Sequence, residues 1–178
     1  MPSKIYQLLD ARIDKLTRSI EIRATGRVVS TSIILIAGAD EMNLNRGWRF
    51  DWSQELAMQE RMIFKLIITA KPRKTEGLIS LENRGDHVFV HLLESAPWNV
   101  GRTKKHLGVA GNLIAFACKS SKELGYSGLV AFLSKSALIH HYTQTLGARR
   151  INNKNLMFIE EDASQLLINR YFYKNHEI

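Results

Sequence analysis

Three strand-like runs joined by tight turns, followed by alternating helices and strands, constrain the fold of this chain most. The runs are Met62–Ala70, Glu76–Leu81 and His87–Glu94, and their Val, Ile, Leu and Phe content is typical of strands. Turn residues at 71–74 and 83–86 separate them, which predicts antiparallel pairing in a meander. Such a sheet needs helices packed against it to bury its apolar faces.

The second half of the chain alternates between helices and strands. Apolar residues recur at helical spacing over two stretches, Gly111–Leu124 and Ser136–Leu146, which predicts two helices. A short apolar strand is predicted between them, at Gly128–Leu133. A hairpin over residues 148–160 follows. Because a helical crossover joins His87–Glu94 to Gly128–Leu133, these fourth and fifth strands are expected to run parallel.

Both ends of the chain are predicted to be helical. Apolar residues recur at helical spacing over residues 4–20, namely Ile5, Leu8, Leu9, Ile13, Leu16 and Ile20. Gly26 ends this element, so residues 1–26 are expected to form a helical extension, followed by a strand over 28–37. The last helix is expected to begin at a cap supplied by Asp162 or Ser164.

These elements predict one domain over residues 1–178, of the α/β (α+β) class. Its sheet is mixed and mostly antiparallel, with helices on both faces. A hydrophobic content of 45% is enough for a sizeable core. The start lacks a signal-peptide pattern, no apolar run is long enough to span a bilayer, and Cys118 is the only cysteine. We therefore expect a cytoplasmic protein without membrane contact.

The charge of the chain is unevenly distributed. The net charge is +8, and residues 101–178 contribute most of it, with 11 Lys/Arg against 5 Asp/Glu. A basic half would attract a polyphosphate ligand, although a merely basic surface explains the same count. No dense Lys/Arg run supports nucleic-acid binding.

A glycine-rich turn, Gly108–Gly111, opens the helix that follows the fourth strand. Small residues there let a ligand approach the backbone. The first N–H groups of a helix lack acceptors within it, and with the helix dipole they attract anions. A tight loop-to-helix turn is an equally good structural explanation. The run lacks the Gly-Lys-Ser/Thr of a Walker A loop and the glycine spacing of a Rossmann fold.

The order of three motifs resembles the GNAT superfamily of N-acyltransferases. Lys105–Ala110 is similar to the family's Gln/Arg-x-x-Gly-x-Gly/Ala pyrophosphate loop, with Lys105 in the place of Gln or Arg. His141–Ala148 is similar to its Tyr-x-x-x-Leu-Gly-Phe segment, and Ser95–Pro97 to its Val-x-Pro. The stretch from Pro97 to Gly108 is longer than usual, which indicates a loop insertion.

The resemblance implies a V-shaped splay between the fourth and fifth strands that holds acetyl-CoA, or another acyl-CoA, as cosubstrate. A bulge in the fourth strand would free backbone groups of Leu93 and Ser95 to bind the cofactor's arm. The N–H groups of the turn would bind the pyrophosphate, and two basic side chains its outer oxygens. The cofactor-binding residues implied are Leu93, Ser95, Arg102, Lys105, Leu107, Gly108, Val109, Ala110, Gly111 and Asn112.

The resemblance also implies direct acyl transfer to an amine, with Tyr142 protonating the departing thiolate. Tyr142 equally suits a core position, because it shares an apolar helix face with Leu138 and Leu146. Glu94 is the first candidate for the base that deprotonates the amine, followed by His91 and Glu82.

Several other features carry less weight. No His/Cys/Asp/Glu set has metal-ligand spacing, so no metal is expected. Cys118 lies on an apolar helix face, which favours packing over nucleophilic chemistry. The aromatic residues Trp48, Phe50 and Trp52 suit either an acceptor pocket or a core.

Two functions from different classes stay open at this stage. The first is an acetyl-CoA-dependent N-acyltransferase. The second is a non-catalytic acyl-CoA-binding module of the same fold that acts through a protein partner. The acceptor, a small-molecule or protein amine, cannot be read from the sequence, and the oligomeric state is open, including a homodimer.

Overall fold

The computed structural model describes residues 7–42, 44 and 47–173. Its main sheet has seven strands in the order β3-β4-β5-β6-β8-β10-β9. The strands are β3 (Thr31–Leu35), β4 (Met62–Ile68), β5 (Thr75–Asn83), β6 (Val88–Ser95), β8 (Val130–Leu133), β9 (Arg149–Arg150) and β10 (Leu156–Ile159). β6 and β8 run parallel and the other neighbours are antiparallel. The predicted meander and the parallel fourth and fifth strands are therefore confirmed, as β4, β5, β6 and β8.

A small second sheet lies beside the glycine turn. It consists of β1 (Ile20–Ile22), β2 (Val28–Val29) and β7 (His106–Leu107), with β1 in the middle. The predicted strand over 28–37 is thus divided between the two sheets, as β2 and β3. The sequence pattern missed β1 and β7, because two- and three-residue strands carry too short a pattern to recognise.

Four α-helices complete the fold: α1 (Trp52–Leu56), α2 (Val109–Glu123), α3 (Ile139–Leu146) and α4 (Glu161–Phe172). Three short 3-10 turns lie at Ala39–Met42, Pro97–Asn99 and Ser136–Leu138. α2 packs against β5, β6 and α4. The predicted cap of the last helix was wrong, since Glu160 precedes α4 and both Asp162 and Ser164 lie within it.

Apolar side chains pack on both faces of the main sheet. Alternate residues of β5 point to opposite sides: Ile79 joins the larger cluster beneath α2, and Leu78 joins a smaller one with Trp52 of α1. The sheet is therefore covered by helices on both faces, as predicted.

The N-terminal prediction was wrong. Residues 7–19 form neither a helix nor a strand, apart from one isolated bridge between Leu9 and Ser134, and residues 1–6 lie outside the described part. Leu9 and Ile13 are nevertheless buried. The apolar spacing therefore reports contact with the body of the protein, and that tertiary contact overrides helix propensity.

Candidate functional site

The glycine turn lies where the small sheet meets the main one. β7 leads into Gly108, which caps α2 with a left-handed backbone, φ +87°. This conformation strains any residue with a Cβ atom, so glycine is required there. Val109, Ala110 and Gly111 form the first turn of α2, and their N–H groups have no acceptor within the helix.

One of the predicted amide donors is already used within the helix. The N–H of Asn112 donates to the carbonyl oxygen of Gly108 at 2.9 Å. Its side-chain amide donates to Thr31 Oγ1 at 3.2 Å. The N–H of Asn112 is thus engaged within α2, and its binding to a ligand stays a prediction. Leu107 also serves structure, because it pairs with Glu21 in the small sheet.

The basic residues upstream of the turn separate into two groups. Lys104 is half-buried, lines the main cavity and pairs with Asp14 at 3.1 Å. Arg102 and Lys105 are exposed. The backbone of Lys105 is bonded on both sides, to Trp98 and to Arg23. Of the three basic residues just upstream of the turn, Lys104 is therefore the one that lines the cavity, whereas the sequence predicted Arg102 and Lys105.

A buried carboxylate anchors the inserted loop that precedes the turn. Glu76 accepts hydrogen bonds from Trp98 Nε1 at 2.7 Å and Asn99 Nδ2 at 2.8 Å, and it lies 3.1 Å from His106 Nδ1. Burial alone would raise the pKa of Glu76, but hydrogen bonds from His106, Asn99 and Trp98 outweigh it and lower the pKa. This network holds both ends of the loop that carries Lys104.

The two parallel strands separate towards the turn. Within the described residues, the pairing of β6 with β8 ends at Val90 and Phe132. β6 bulges at His91, where the pairing with β5 skips one residue. Beyond the bulge, Leu93, Glu94 and Ser95 line a cavity of about 490 Å³. The splay and the bulge that the resemblance implied are thus both present.

Glu94 is held in place from the opposite side of the cavity. It is 7% exposed. Its carboxylate accepts a hydrogen bond from the backbone N–H of Arg49 and another, of 2.7 Å, from Trp52 Nε1. Asp51 caps α1 through the N–H of Gln54, and this fixes Trp52 at the first helical position.

Tyr142 lies on the β8 side of the splay. It is buried to 1% exposure on α3, edge-on to Phe132. Its hydroxyl donates to the carbonyl oxygen of Ala11 at 2.6 Å. Burial, together with the charge of Asp10, raises the pKa of Tyr142, so the phenol stays protonated and can act as a proton donor.

Comparison with solved structures identifies the architecture. The KacTA–DNA complex matches with a TM-score of 0.56 at 15% identity, over 79% of this chain and 99% of that one. AtaTR bound with AcCoA matches with a TM-score of 0.55 at 15% identity, over 77% of this chain and 97% of that one. A Tyr-to-Phe mutant of the AtaT toxin, bound to the C-terminus of the antitoxin AtaR, gives 0.54 at 14%, over 77% and 97%.

The fold is that of the GNAT superfamily. Neither protein-family models nor curated proteins give a match to this chain. At these identities the likeness shows the fold alone. Within this fold, β6 and β8 are the splayed strands and α2 is the helix that follows the glycine turn.

His91 and Glu82, the other two candidates for the general base, contact each other. His91 Nε2 lies 2.5 Å from Glu82 Oε2. Burial lowers the pKa of His91 despite this carboxylate, so the ring is largely neutral near pH 7. Neither residue lines the cavity described above. Glu94 is therefore the only one of the three base candidates in that cavity.

Three further features bear on metal binding, thiol chemistry and membrane insertion. The described residues contain no cluster of three or more His, Cys, Asp or Glu that could hold a metal ion. Cys118 is fully buried, and burial raises its pKa to about 12, as expected of a packing residue. Of the helices in the described ranges, none has the length and apolar character needed to cross a membrane.

Sequence reasoning missed four charged residues of the cavity wall, namely Asp10, Arg12, Asp14 and Arg49. Asp10 pairs with Arg49 at 2.9 Å and with Lys135 at 2.8 Å. Both aspartates belong to the segment predicted to be a helix, whose polar face would point to solvent. Only their alternation with buried Leu9 and Ile13 hinted that the segment contacts the domain.

Proposed function

We propose that this protein is an acetyl-CoA-dependent N-acyltransferase that transfers an acetyl or short acyl group directly to an amine. The observation that carries the proposal is the left-handed Gly108 at the start of α2, beside a splay whose cavity is lined by Glu94. Tyr142 is buried behind this cavity, and its hydroxyl bonds to Ala11 of the cavity wall. The GNAT fold supports this combination of sites.

The residues of the turn suit a pyrophosphate. The N–H groups of Val109, Ala110 and Gly111 would donate to its oxygens, aided by the positive end of the α2 dipole. Lys104 would add a side-chain charge, and Arg102 and Lys105 could reach outer oxygens only by extending from the surface. The net charge of the second half favours the same ligand.

The edge of β6 beyond its bulge suits the cofactor's arm. Leu93 and Ser95 lie past the last pair with β8, so the backbone of β6 can bond a ligand in the splay. When bound, the cofactor would supply an acyl thioester. Tyr142 would donate a proton to the departing sulfur, and Glu94 would accept the amine proton, directly or through water.

A second candidate function is a non-catalytic acyl-CoA-binding module that acts through a protein partner. Both proposed catalytic groups are engaged in hydrogen bonds: Tyr142 with Ala11, and Glu94 with Arg49 and Trp52. A protein that only binds acyl-CoA would have no need to free these groups.

Turnover of acetyl-CoA with a panel of primary amines and amine-bearing peptides separates the two functions. An enzyme releases free CoA thiol in proportion to an acylated product whose mass increases by one acetyl group. Saturable acetyl-CoA binding without turnover of any amine in the panel would favour the binding module. Absence of both binding and turnover in the folded protein would refute both.

A further inference from the structure

The N-terminal segment, residues 7–19, runs along the proposed acyl-CoA groove. Leu9 donates its N–H to the carbonyl oxygen of Leu133 at 2.6 Å and accepts from the N–H of Lys135 at 3.0 Å. These bonds extend β8 at the edge that faces the splay. Leu9 and Ile13 are 3% and 5% exposed, so the segment is packed against the domain.

At the narrow end of the splay, the segment uses the groups that acyl transfer would need. The Tyr142 hydroxyl, the proposed proton donor, is bonded to the carbonyl oxygen of Ala11. The N–H of Ile13 donates to His141 Nε2 at 2.9 Å. A ligand whose sulfur approached Tyr142 would have to compete with Ala11 for this hydroxyl.

At the glycine turn, the segment supplies a negative charge. Asp14 accepts a hydrogen bond from the N–H of Gly108 at 3.0 Å, and its second oxygen accepts from Lys104 Nζ at 3.1 Å. A carboxylate is favourable at a helix N-terminus for the same reason as a phosphate. The Asp14 side chain is 17% exposed, so this part of the turn is covered.

The next residues of the segment close the turn further. A Cβ atom on Gly108 would collide with Thr17 Oγ1, so the space left by the missing side chain is filled by Thr17. The hydroxyl of Tyr171 accepts from the N–H of Thr17 at 3.1 Å and lies over Gly111. Thr17 is 6% exposed. Both ends of the groove are therefore covered by one stretch of chain.

We propose that residues 7–19 are an intramolecular competitor of acyl-CoA, with the Asp14 carboxylate in the place of a cofactor phosphate. This inference rests on the proposed function and adds its regulation: the cofactor binds only when the segment leaves the groove. Among the described residues, backbone-to-backbone hydrogen bonds hold the segment only at Leu9, and its other bonds run through single side chains, so release requires these contacts to be exchanged.

The first test compares acetyl-CoA affinities of the full chain by calorimetry. Asp14→Ala removes the competing carboxylate and should bind acetyl-CoA roughly tenfold more tightly, because affinity is reduced by the fraction of open molecules. Asp86→Ala is the matched control. The Asp86 side chain is 83% exposed in the turn before β6, at the end of β6 opposite to Ser95 and the splay. Its affinity should equal that of the wild type. Equal or weaker binding by Asp14→Ala would overturn the inference.

The second test uses the wild-type protein and needs no variant. Hydrogen exchange should show that the Leu9 amide loses protection when the protein is saturated with acetyl-CoA. If acetyl-CoA binds while Leu9 stays protected, the cofactor lies beside the segment and the inference fails, although the proposed function stands. If neither the wild type nor Asp14→Ala binds acetyl-CoA, the proposed function fails and the inference fails with it.

Discussion

The hydroxyl of Tyr142 donates a hydrogen bond of 2.6 Å to the backbone carbonyl oxygen of Ala11, 131 residues earlier in the chain. This contact joins the proposed proton donor to the N-terminal segment. Because a phenol has a single proton, Tyr142 can protonate a leaving thiolate only after this bond is exchanged. In the proposed mechanism, proton donation and release of the segment are therefore coupled at the Tyr142 hydroxyl.

Tyr142→Phe removes that proton and keeps the ring. Turnover should fall by about 10²-fold, within the range of general-acid contributions, while acetyl-CoA binding should not weaken. Loss of the buried hydrogen bond should lower the free energy of unfolding by about 1 kcal/mol. Tyr126→Phe is the control for turnover, because it also removes a tyrosine hydroxyl bond, of 2.8 Å to Asn83, at an exposed site. Unchanged turnover in Tyr142→Phe would remove Tyr142 from the mechanism.

Glu94→Gln tests the proposed base. Both carboxylate oxygens accept from N–H donors, so the glutamine NH₂ group must face one donor. We expect a loss of about 1–3 kcal/mol of unfolding free energy and roughly 10²-fold of turnover. Urea denaturation and steady-state kinetics measure the two effects. If Glu82→Gln lowers turnover and Glu94→Gln does not, the base is assigned to the wrong carboxylate.

The features predicted correctly depend on local sequence. The meander follows from turn residues between apolar runs, and α2 follows from Gly108 and the helical spacing after it. The position of Tyr142 at the splay came from the family's motif order. Its two explanations, core residue and proton donor, are both compatible with the structure, since the side chain is buried and its hydroxyl bonds to Ala11, which lines the cavity.

The features that were missed depend on contacts distant in the chain. The apolar spacing over residues 4–20 predicts a helix. Leu9 and Ile13 instead belong to a non-helical segment that extends β8, and both side chains are buried against the domain. A four-residue spacing fits one face of a helix, but it also fits same-side positions of an extended chain. No local pattern could reveal that Asp14 reaches the N–H of Gly108, 94 residues away.

Acidification should loosen the segment through His141. Its Nε2 accepts from the N–H of Ile13, which requires a neutral ring, and burial followed by the charge of Arg12 lowers its pKa. Because the pKa of His141 is lower in the folded state than its unfolded value of about 6.5, the stabilisation from this hydrogen bond is complete above a pH of about 6.5. It is lost as the pH falls through the lower, folded-state pKa.

The protection factor of the Ile13 amide measures this effect by hydrogen exchange. It should decrease from about pH 7 to about pH 5 in the wild type, since protonation of His141 removes the acceptor. His140→Gln, a change at an exposed neighbour, should behave like the wild type, and His141→Gln should lose the pH dependence. A decrease of equal size in His141→Gln would assign the effect to another group.

Calorimetric titration with acetyl-CoA tests whether acyl-CoA binds at the turn that opens α2. Gly108→Glu places a carboxylate in the phosphate position. Gly85→Glu introduces the same side chain at a left-handed glycine, φ +86°, with no atom within 4 Å of the new Cβ. We predict one saturable site in the wild type and in Gly85→Glu, and none in folded Gly108→Glu. Absence of acetyl-CoA binding by the folded wild type, or equal binding by Gly108→Glu, would show that acyl-CoA does not bind at this turn.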